Sequence, residues 1–285
     1  SEEIGGYEGN AQALRILRKL EKKFSYCNGL NLTHRSLLSV VKYPIPRAAA
    51  TAGKFIYDDD YYFYINLLAE NQLDLNPGEK TIDAQIMDLA DEIAYAAHDL
   101  EDALSRNMVT IEDIEYEFQI SDEFRGAREQ FREIVTQSRN TAFQANLLKT
   151  SEEFAIIFRK ELTSNIVNRL VADISVVTNL NGFQELGFGK LNALSEGLKK
   201  LLFKVIMRKR NILTYEFRGN KIIRDLYDFY NEGENYKFLP PELKFTLPQP
   251  DSCIFEISKK RAVVDYISGM MDTFAVKEWE THCLK

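Results

Sequence analysis

The acidic segment at residues 83–104 constrains this chain more than any other feature. It reads DAQIMDLADEIAYAAHDLEDAL and holds seven carboxylates without a single Lys or Arg. At roughly 100° per residue, four acids and one tyrosine fall on one face of a helix, in a stripe about 80° wide: Asp88, Asp91, Tyr95, Asp99 and Asp102. Such a concentration of negative charge requires either water or a cation beside it.

The other side of this predicted helix is apolar. Its hydrophobic residues follow the three- and four-residue spacing of a helix packed on a core: Ile82, Ile86, Leu89, Ile93, Leu100 and Leu104. Five alanines lie mostly on the flanks between the two faces, where small side chains let neighbouring helices approach closely. We therefore expect the helix to be enclosed on more than one side.

The acidic stripe has two interpretations that its spacing leaves open. Runs of like charge usually face water, so the stripe can be a solvated surface. An exposed helix, however, usually carries Lys or Arg four residues from an acid, and this segment has none. Carboxylate oxygens are also the ligands of hard cations, so a metal site is the second interpretation.

The composition of the whole chain limits its class. Its 285 residues are 45% hydrophobic, which allows a sizeable core, and its net charge of −7 argues against strong binding to nucleic acids or anionic membranes. The three cysteines, Cys27, Cys253 and Cys283, lack CxxC spacing and fit a reducing cytoplasm. No apolar run approaches the roughly 20 residues that cross a bilayer, and the first residues lack the pattern of a signal peptide. We expect a globular, cytoplasmic protein.

Apolar periodicity predicts an all-α chain with at most one short hairpin, near residues 176–183. Helices are predicted at residues 10–23, 33–41, 62–70, 83–104, 111–118, 123–138, 151–172, 189–210 and 259–273. Residues 58–64, three aspartates followed by four aromatics, are predicted to begin as a loop that serves as a subunit contact or a mobile lid. The basic run at residues 204–210 either complements a helix dipole or faces a polyphosphate.

Four stretches, in order, resemble one family. They are GGYEGNAQALRILRKLE at residues 5–21, GLNLTHRSLLSVVKYP at 29–44, DLADEIAYAAHDLEDAL at 88–104 and RAVVDYISGMMD at 261–272. Together they resemble the bacterial deoxynucleoside triphosphate triphosphohydrolases of the HD-domain superfamily, the dGTPase-like proteins. The resemblance implies a mainly helical enzyme that converts a deoxynucleoside triphosphate, dGTP foremost, into the deoxynucleoside and inorganic triphosphate.

The resemblance also implies roles for residues of the acidic helix. In this family one divalent metal ion, Mg, Mn or another transition metal, is held by a first His, an adjacent His-Asp pair and a last Asp, which Asp91 matches. Tyr95 and Asp99 match residues that face the deoxyribose, with Asp99 accepting a hydrogen bond from the 3′-hydroxyl. Their spacing places metal, phosphate and sugar in sequence along one helix.

Further substrate contacts are implied by the other matching stretches. Lys42 and Tyr43 match residues that contact the substrate, with Lys42 suited to a phosphate oxygen. Asn10 matches the segment that borders the site, where it either contacts the substrate or caps a helix. Arg261 either reaches a phosphate, in its own or a neighbouring subunit, or is a surface arginine.

The chain departs from the family pattern at the metal site. In the family the first His and the His-Asp pair precede the segment that matches Asn10, and here only nine residues do. The one His-Asp pair of the chain, His98-Asp99, lies within the acidic helix, and neither His34 nor His282 matches a ligand position. A single carboxylate binds a transition metal weakly. Alone, this chain is expected to be inactive and to hold the metal weakly or not at all.

Two explanations of this departure stay open. The chain is the C-terminal part of a longer enzyme, or it is a shortened paralogue that serves as a nucleotide-binding regulatory or oligomeric partner. On the first explanation, residues 1–138 form the last part of the catalytic core and residues 139–285 complete the family fold. The resemblance also implies a homo-oligomer, either a dimer or a hexamer.

Overall fold

The computed structural model describes residues 4–50, 53–145, 149–179 and 182–284. The chain folds into two compact units, which are described separately below. The first unit comprises residues 1–78 and 213–285, and the second comprises residues 79–212. The boundary between residues 138 and 139 that the sequence predicts refers to family regions, and it stays a prediction. In the described residues no helix combines the length and apolar character needed to cross a membrane.

The second unit is built around the acidic helix. Numbered in chain order, after three helices of the first unit, its helices are α4 (Ile82–Ser105), α5 (Ile111–Ile120), α6 (Arg128–Phe143), α7 (Ser151–Ala172) and α8 (Asn192–Met207). Caps fix several of their starts: Thr81 accepts a hydrogen bond from the Ala84 amide, and Thr110 forms a capping box with Asp113. Helix α4 packs against α7, α8 and one strand, so the expectation of enclosure on more than one side is confirmed.

The alanines of α4, rather than its first isoleucines, make the closest contacts. Ala84, Ala96 and Ala103 are fully or almost fully buried, whereas Ile82 and Ile86 are exposed. The predicted apolar stripe is therefore wrong at its first turn and right from Leu89 onward. The reason is that α4 lies between two helices, whose close approach places small flanking residues in the core.

A two-stranded antiparallel hairpin joins α7 to α8. Strand β1 (Ile174–Thr178) pairs with β2 (Gln184–Phe188), so the predicted hairpin is confirmed. The centre of the predicted turn, residues 180–181, lies outside the described residues. The side-chain oxygen of Gln85 accepts a hydrogen bond from the Leu186 amide at 2.9 Å, which fixes β2 against α4.

The first unit contains the N-terminal helices and the C-terminal helices. They are α1 (Gly9–Arg15) with a π-helical turn (Ile16–Leu20), α2 (His34–Ser39), α3 (Asp58–Glu70), α9 (Arg210–Asn231, whose first three residues belong to the second unit), α10 (Pro241–Lys244), α11 (Phe255–Ser268) and α12 (Asp272–His282). The π-helical turn is held by the Leu30 amide, which donates to the Leu17 carbonyl at 2.9 Å. Gly29 allows this close approach, because a Cβ there would lie 2.4 Å from the Arg18 backbone.

Several predicted boundaries are wrong. The helix predicted at residues 123–138 is α6, which begins at Arg128 and ends at Phe143. The three aspartates at residues 58–60 form the first turn of α3 rather than a loop, because carboxylates stabilise a helix N-terminus. The helix predicted at residues 189–210 ends at Met207, and a separate helix α9 follows it. The last predicted helix is two helices, α11 and α12, separated near Gly269. The all-α class itself is confirmed, with the hairpin as the one sheet of the described residues.

Candidate functional site

The predicted substrate and metal residues fall into two groups, one in each unit. Asp91, Tyr95 and Asp99 lie on α4 of the second unit, one helical turn apart. Asn10, Lys42, Tyr43 and Arg261 lie in the first unit. Each group is built from its own neighbours, so the geometry of each is described within its unit.

On α4, the predicted residues occupy the side of the helix that the core leaves open. Asp91 is half-buried, Tyr95 is 44% exposed, and Asp99 is exposed. Although Asp99 is exposed, partial desolvation by the surrounding protein atoms, followed by the neighbouring carboxylates Asp102 and Asp91, raises its pKa above the usual value, and His98 opposes the shift. The stripe is therefore a surface that accumulates negative charge and favours a cationic or hydrogen-bond-donating ligand.

Cations near this stripe come from outside α4. Lys80 pairs with Asp88, and the Lys199 ammonium of α8 lies 5.5 Å from the centre of the Tyr95 ring. These two lysines offset part of the negative charge of α4, although the helix has no basic residue of its own. Asp88 is thus engaged with a lysine, and Asp91 is the stripe acid that matches the family ligand. Lys199 was not predicted, because nothing in the sequence places α8 beside α4.

The histidine of the acidic helix faces away from the core. His98 is 64% exposed, and its Nδ1 atom lies 3.8 Å from a carboxylate oxygen of Glu101, one turn along. This places it on the helix surface. His98 lies seven residues after Asp91 on α4, and the described residues contain no metal-binding group that includes both.

The described residues of this chain do not by themselves fit a transition-metal site. They contain no group of three or more His, Cys, Asp or Glu side chains arranged to hold a metal ion. Asp91 supplies one carboxylate, which is too few ligands for a stable site. A metal ion held by Asp91 would therefore need ligands beyond those that the described residues supply.

In the first unit, a buried carboxylate organises the predicted residues. Glu8 is only 4% exposed, and its oxygens accept hydrogen bonds from the Asn10 amide at 2.8 Å, from Lys54 Nζ at 3.0 Å and from the Ala11 backbone at 2.8 Å. Glu8 is thus the N-cap of α1, so the capping role considered for Asn10 belongs to Glu8 instead. Burial raises the pKa of Glu8, but these hydrogen bonds outweigh it and leave that pKa below its ordinary value.

Lys54 joins Lys42 and Tyr43 in a cationic cluster. The Lys54 ammonium lies 5.3 Å from the centre of the Tyr43 ring, while Asn10, Lys42 and Tyr43 line one small cavity. The structure therefore brings three predicted residues together and adds a fourth. The sequence did not predict Lys54, because a lone lysine before the apolar run Phe55-Ile56-Tyr57 matches no motif. In the structure this run is buried, and it places Lys54 beside the cavity.

Arg261 is held in place by its neighbours. Its guanidinium lies 4.3 Å from the centre of the Tyr57 ring and donates a hydrogen bond to the Ile4 carbonyl. It is partly buried, and whether it reaches a phosphate stays a prediction. The Tyr57 hydroxyl in turn donates to the Gln12 side chain at 3.1 Å, which links Arg261 to α1.

A buried ionic network ties α1 to α11. Asp265 accepts hydrogen bonds from Gln12 Nε2 at 2.9 Å and from Arg15 at 2.9 Å (Nε) and 2.7 Å (Nη2). Its side chain is 2% exposed, and the Arg15 side chain is 16% exposed. This network fixes α1, which begins after Glu8 and contains Asn10.

The basic run at residues 204–210 has protein partners. Lys204 Nζ lies 3.4 Å from a carboxylate oxygen of the buried Glu117, and Arg208 donates a hydrogen bond to its other oxygen. These ion pairs give Lys204 and Arg208 a structural role, which favours the interpretation that needs no polyphosphate.

Comparison with known proteins decides the family. Residues 190–281 match the model of the phosphohydrolase-associated domain. The chain is 48% identical over 281 residues to deoxyguanosinetriphosphate triphosphohydrolase-like protein 2 of Vibrio cholerae, a match that covers 98% of this chain and 65% of the relative. The chain belongs to the dGTPase-like phosphohydrolase family. The resemblance inferred from the four sequence stretches is confirmed.

More distant dGTPase-like relatives agree with this assignment. The chain is 28% identical to the deoxyguanosinetriphosphate triphosphohydrolase-like protein of Rickettsia typhi and 29% identical to that of Shewanella sediminis. It spans 68% of the length of each. This dGTPase-like chain thus corresponds to about two thirds of the length of these relatives, and 65% of the Vibrio protein.

Proposed function

We propose that the protein containing this chain is a metal-dependent hydrolase of deoxynucleoside triphosphates that releases inorganic triphosphate. The observation that carries the proposal is the open face of α4, where Asp91, Tyr95 and Asp99 follow one another at one-turn intervals. A carboxylate, an aromatic ring and a second carboxylate in that order suit a metal-bound phosphate, the sugar ring and the sugar hydroxyl. Membership of the dGTPase-like family supports the same reaction class.

Asp91 is proposed as one ligand of a divalent metal ion, with the remaining ligands supplied by residues that this chain does not contain. Bound there, such an ion supplies charge neutralisation at the phosphate. The half-buried position of Asp91 suits a ligand, because part of its carboxylate is already removed from bulk water.

Tyr95 and Asp99 are proposed to select the deoxyribose. Asp99 accepts a hydrogen bond from the 3′-hydroxyl, and the exposed Tyr95 ring packs on the sugar. A ring in close contact leaves no room for a 2′-hydroxyl, so ribonucleotides are disfavoured. Partial desolvation first, and then the neighbouring carboxylates Asp102 and Asp91, raise the pKa of Asp99, and a hydroxyl donor would stabilise its charged form.

Lys42 and Lys54 are proposed to offset the charge of the triphosphate. The Lys54 ammonium, which pairs with Glu8, lies 5.3 Å from the centre of the Tyr43 ring, and Lys42 lines the same small cavity as Tyr43. Glu8 holds Lys54 and Asn10 in fixed positions, so these side chains are set before a ligand binds.

The test is product analysis on the longest natural polypeptide that contains this chain. The protein is incubated with each of the four common dNTPs and with GTP, with Mg²⁺ or Mn²⁺ present, and phosphorus NMR identifies the products. We expect inorganic triphosphate from at least one dNTP and far less from GTP. Release of pyrophosphate or single phosphate instead, or equal turnover of GTP, contradicts the proposal.

Thermal denaturation with and without each dNTP, measured beside the product analysis, separates the alternative of a nucleotide-binding regulatory subunit. That alternative predicts that dNTPs raise the melting temperature of the protein without any turnover.

Three further expectations stay predictions: the preference for dGTP, the homo-oligomeric state and the cytoplasmic location. Product analysis across the four dNTPs tests the preference for dGTP.

A further inference from the structure

A lysine of α8 contacts the aromatic residue of the acidic stripe, and the function proposed above gives this lysine no role. Helix α8 packs on α4 within the second unit. The ammonium of Lys199 lies over the ring of Tyr95, 5.5 Å from its centre, which is inside the range of roughly 6 Å for a cation–π contact. Because Tyr95 is the ring that we assign to the deoxyribose, Lys199 can influence how the sugar is held.

The packing of α4 on α8 fixes this pair of residues opposite each other. Glu92 of α4 and Glu196 of α8 line one cavity between the two helices, with a volume of about 370 Å³. Tyr95 follows Glu92 by three residues, and Lys199 follows Glu196 by three residues. Three residues are close to one helical turn, so both helices present the next turn of the same face. The contact between ring and lysine thus belongs to the packed helix pair.

Lys199 differs from the neighbouring Lys200 in what binds its ammonium group. Lys200 pairs with Glu196 at 2.8 Å and lies 5.1 Å from the centre of the Phe124 ring, so it links parts of the fold. Lys199 is exposed, and within the described residues its ammonium forms neither a hydrogen bond nor an ion pair. The ring of Tyr95 is therefore the group on which Lys199 acts at short range.

A cation over one face of an aromatic ring restricts the movement of that ring. Tyr95 is 44% exposed, and a side chain on an open helix surface can exchange between rotamers. The lysine occupies one face of the ring and leaves the exposed remainder to the sugar. Exclusion of a 2′-hydroxyl depends on close contact, so a ring that is held in place discriminates better than one that can turn away.

We propose that Lys199 is a positioning residue that sharpens the selection of deoxynucleotides over ribonucleotides by holding the Tyr95 ring against the sugar. The role of Lys199 rests on the proposed function, because it requires that the sugar lies on this ring. It adds a residue of α8 to the sugar side of the site, where the sequence predicts only Tyr95 and Asp99.

The test is the ratio of kcat/KM for the best dNTP to kcat/KM for the ribonucleotide with the same base, measured in competition on the full protein. Lys199→Met removes the charge and keeps most of the length of the side chain. It should lower this ratio about twofold to fivefold, the size of an exposed cation–π contact. Lys199→Arg should restore the wild-type ratio, because a guanidinium also packs on an aromatic face. A lysine that only stabilised the fold would change both rates equally.

Two controls isolate the contact. Lys160→Met removes an exposed lysine from α7 of the same unit and should leave the ratio unchanged. In a Tyr95→Leu background, Lys199→Met should cause no further loss of selectivity, because the ring that the lysine holds is gone.

Equilibrium binding gives a second readout that needs no turnover. Isothermal titration calorimetry of the metal-free protein compares the affinities for dGTP and GTP, with and without Lys199→Met. If the wild-type protein prefers dGTP in binding but releases no triphosphate, the hydrolase proposal fails. The ratio of affinities then replaces the ratio of rates, and the same changes are expected for the same variants.

An unchanged ratio in Lys199→Met overturns the proposal, and so does an equal loss in Lys160→Met. A further loss of selectivity in the Tyr95→Leu background also overturns it, because Lys199 would then act on something other than the ring. A wild-type protein that binds dGTP and GTP equally leaves no selectivity for Lys199 to sharpen, which contradicts the proposal as well. Release of triphosphate tests hydrolysis, and the response of the ratio to Lys199→Met tests this role, so the two failures are distinguishable.

Discussion

The ionic network around Asp265 gives the sharpest prediction about stability. Asp265→Ala removes a carboxylate that accepts hydrogen bonds from Arg15 and Gln12, and it leaves both donors in a buried setting. Breaking a buried ion pair by removing one partner costs about 3–5 kcal/mol. Because Arg15 keeps a small exposed fraction, 16%, water recovers part of this loss, and we expect about 3 kcal/mol.

Urea unfolding followed by tryptophan fluorescence measures this loss. Trp279 is the only tryptophan of the chain and lies in the first unit, where its indole donates a hydrogen bond to Asp225 at 2.7 Å. At a denaturant slope of about 2–3 kcal/mol per molar, the midpoint should fall by roughly 1 M or more. Glu234→Ala, which removes an exposed pairing with Lys237, should leave the midpoint unchanged. If both variants shift the midpoint equally, the network does not stabilise this unit.

Three further predictions concern single side chains. Glu8→Gln should destabilise the protein most above pH 4.5, the ordinary pKa of a glutamate, because the folded protein stabilises the ionised form of Glu8 and so lowers its pKa. The difference in stability from wild type should shrink as the pH falls below that value. Thermal unfolding of both proteins from pH 3 to pH 7 measures this difference. Gly197→Ala should cost about 1–3 kcal/mol, since its new Cβ would lie 2.6 Å from the Phe118 ring, and a normal melting temperature would contradict this. Ser138→Ala removes a buried hydroxyl that accepts a hydrogen bond from Asn165, so urea unfolding should show a loss of about 1–2 kcal/mol.

Local patterns in the sequence predict local structure well in this chain. The length of α4 follows from its apolar spacing, its start follows from Thr81, and the start of α5 follows from Thr110. The hairpin agrees with a β-branched run that is followed in the sequence by an Asn-Gly pair. Each of these features is determined within a few residues, so no knowledge of the tertiary structure is needed.

Such local patterns do not predict how helices pack or which distant residues come into contact. Ile82 and Ile86 are exposed although they continue an apolar stripe, because the neighbours of α4 meet its alanines instead. The pairing of Arg15 with Asp265 joins residues 250 positions apart. Lys54 becomes a site candidate only because Glu8 fixes it above Tyr43. The family motifs compensate for part of this limit, since they mark Asp91, Lys42 and Tyr43 without any knowledge of their neighbours.

The central claim is that the open face of α4 belongs to a catalytic site through Asp91. The most direct measurement compares triphosphate release from dGTP, or from the best dNTP substrate, by Asp91→Asn and Asp102→Asn in the full protein. Both changes remove one charge from the same stripe, but only Asp91 matches a metal ligand. Loss of a residue that only hydrogen-bonds to a metal ligand typically lowers metal affinity or activity by about 10–100-fold. Asp91→Asn, which alters a proposed ligand itself, should therefore reduce triphosphate release by more than about 100-fold. Asp102→Asn should stay within about twofold of wild type. Equal activities of the two variants would contradict the account.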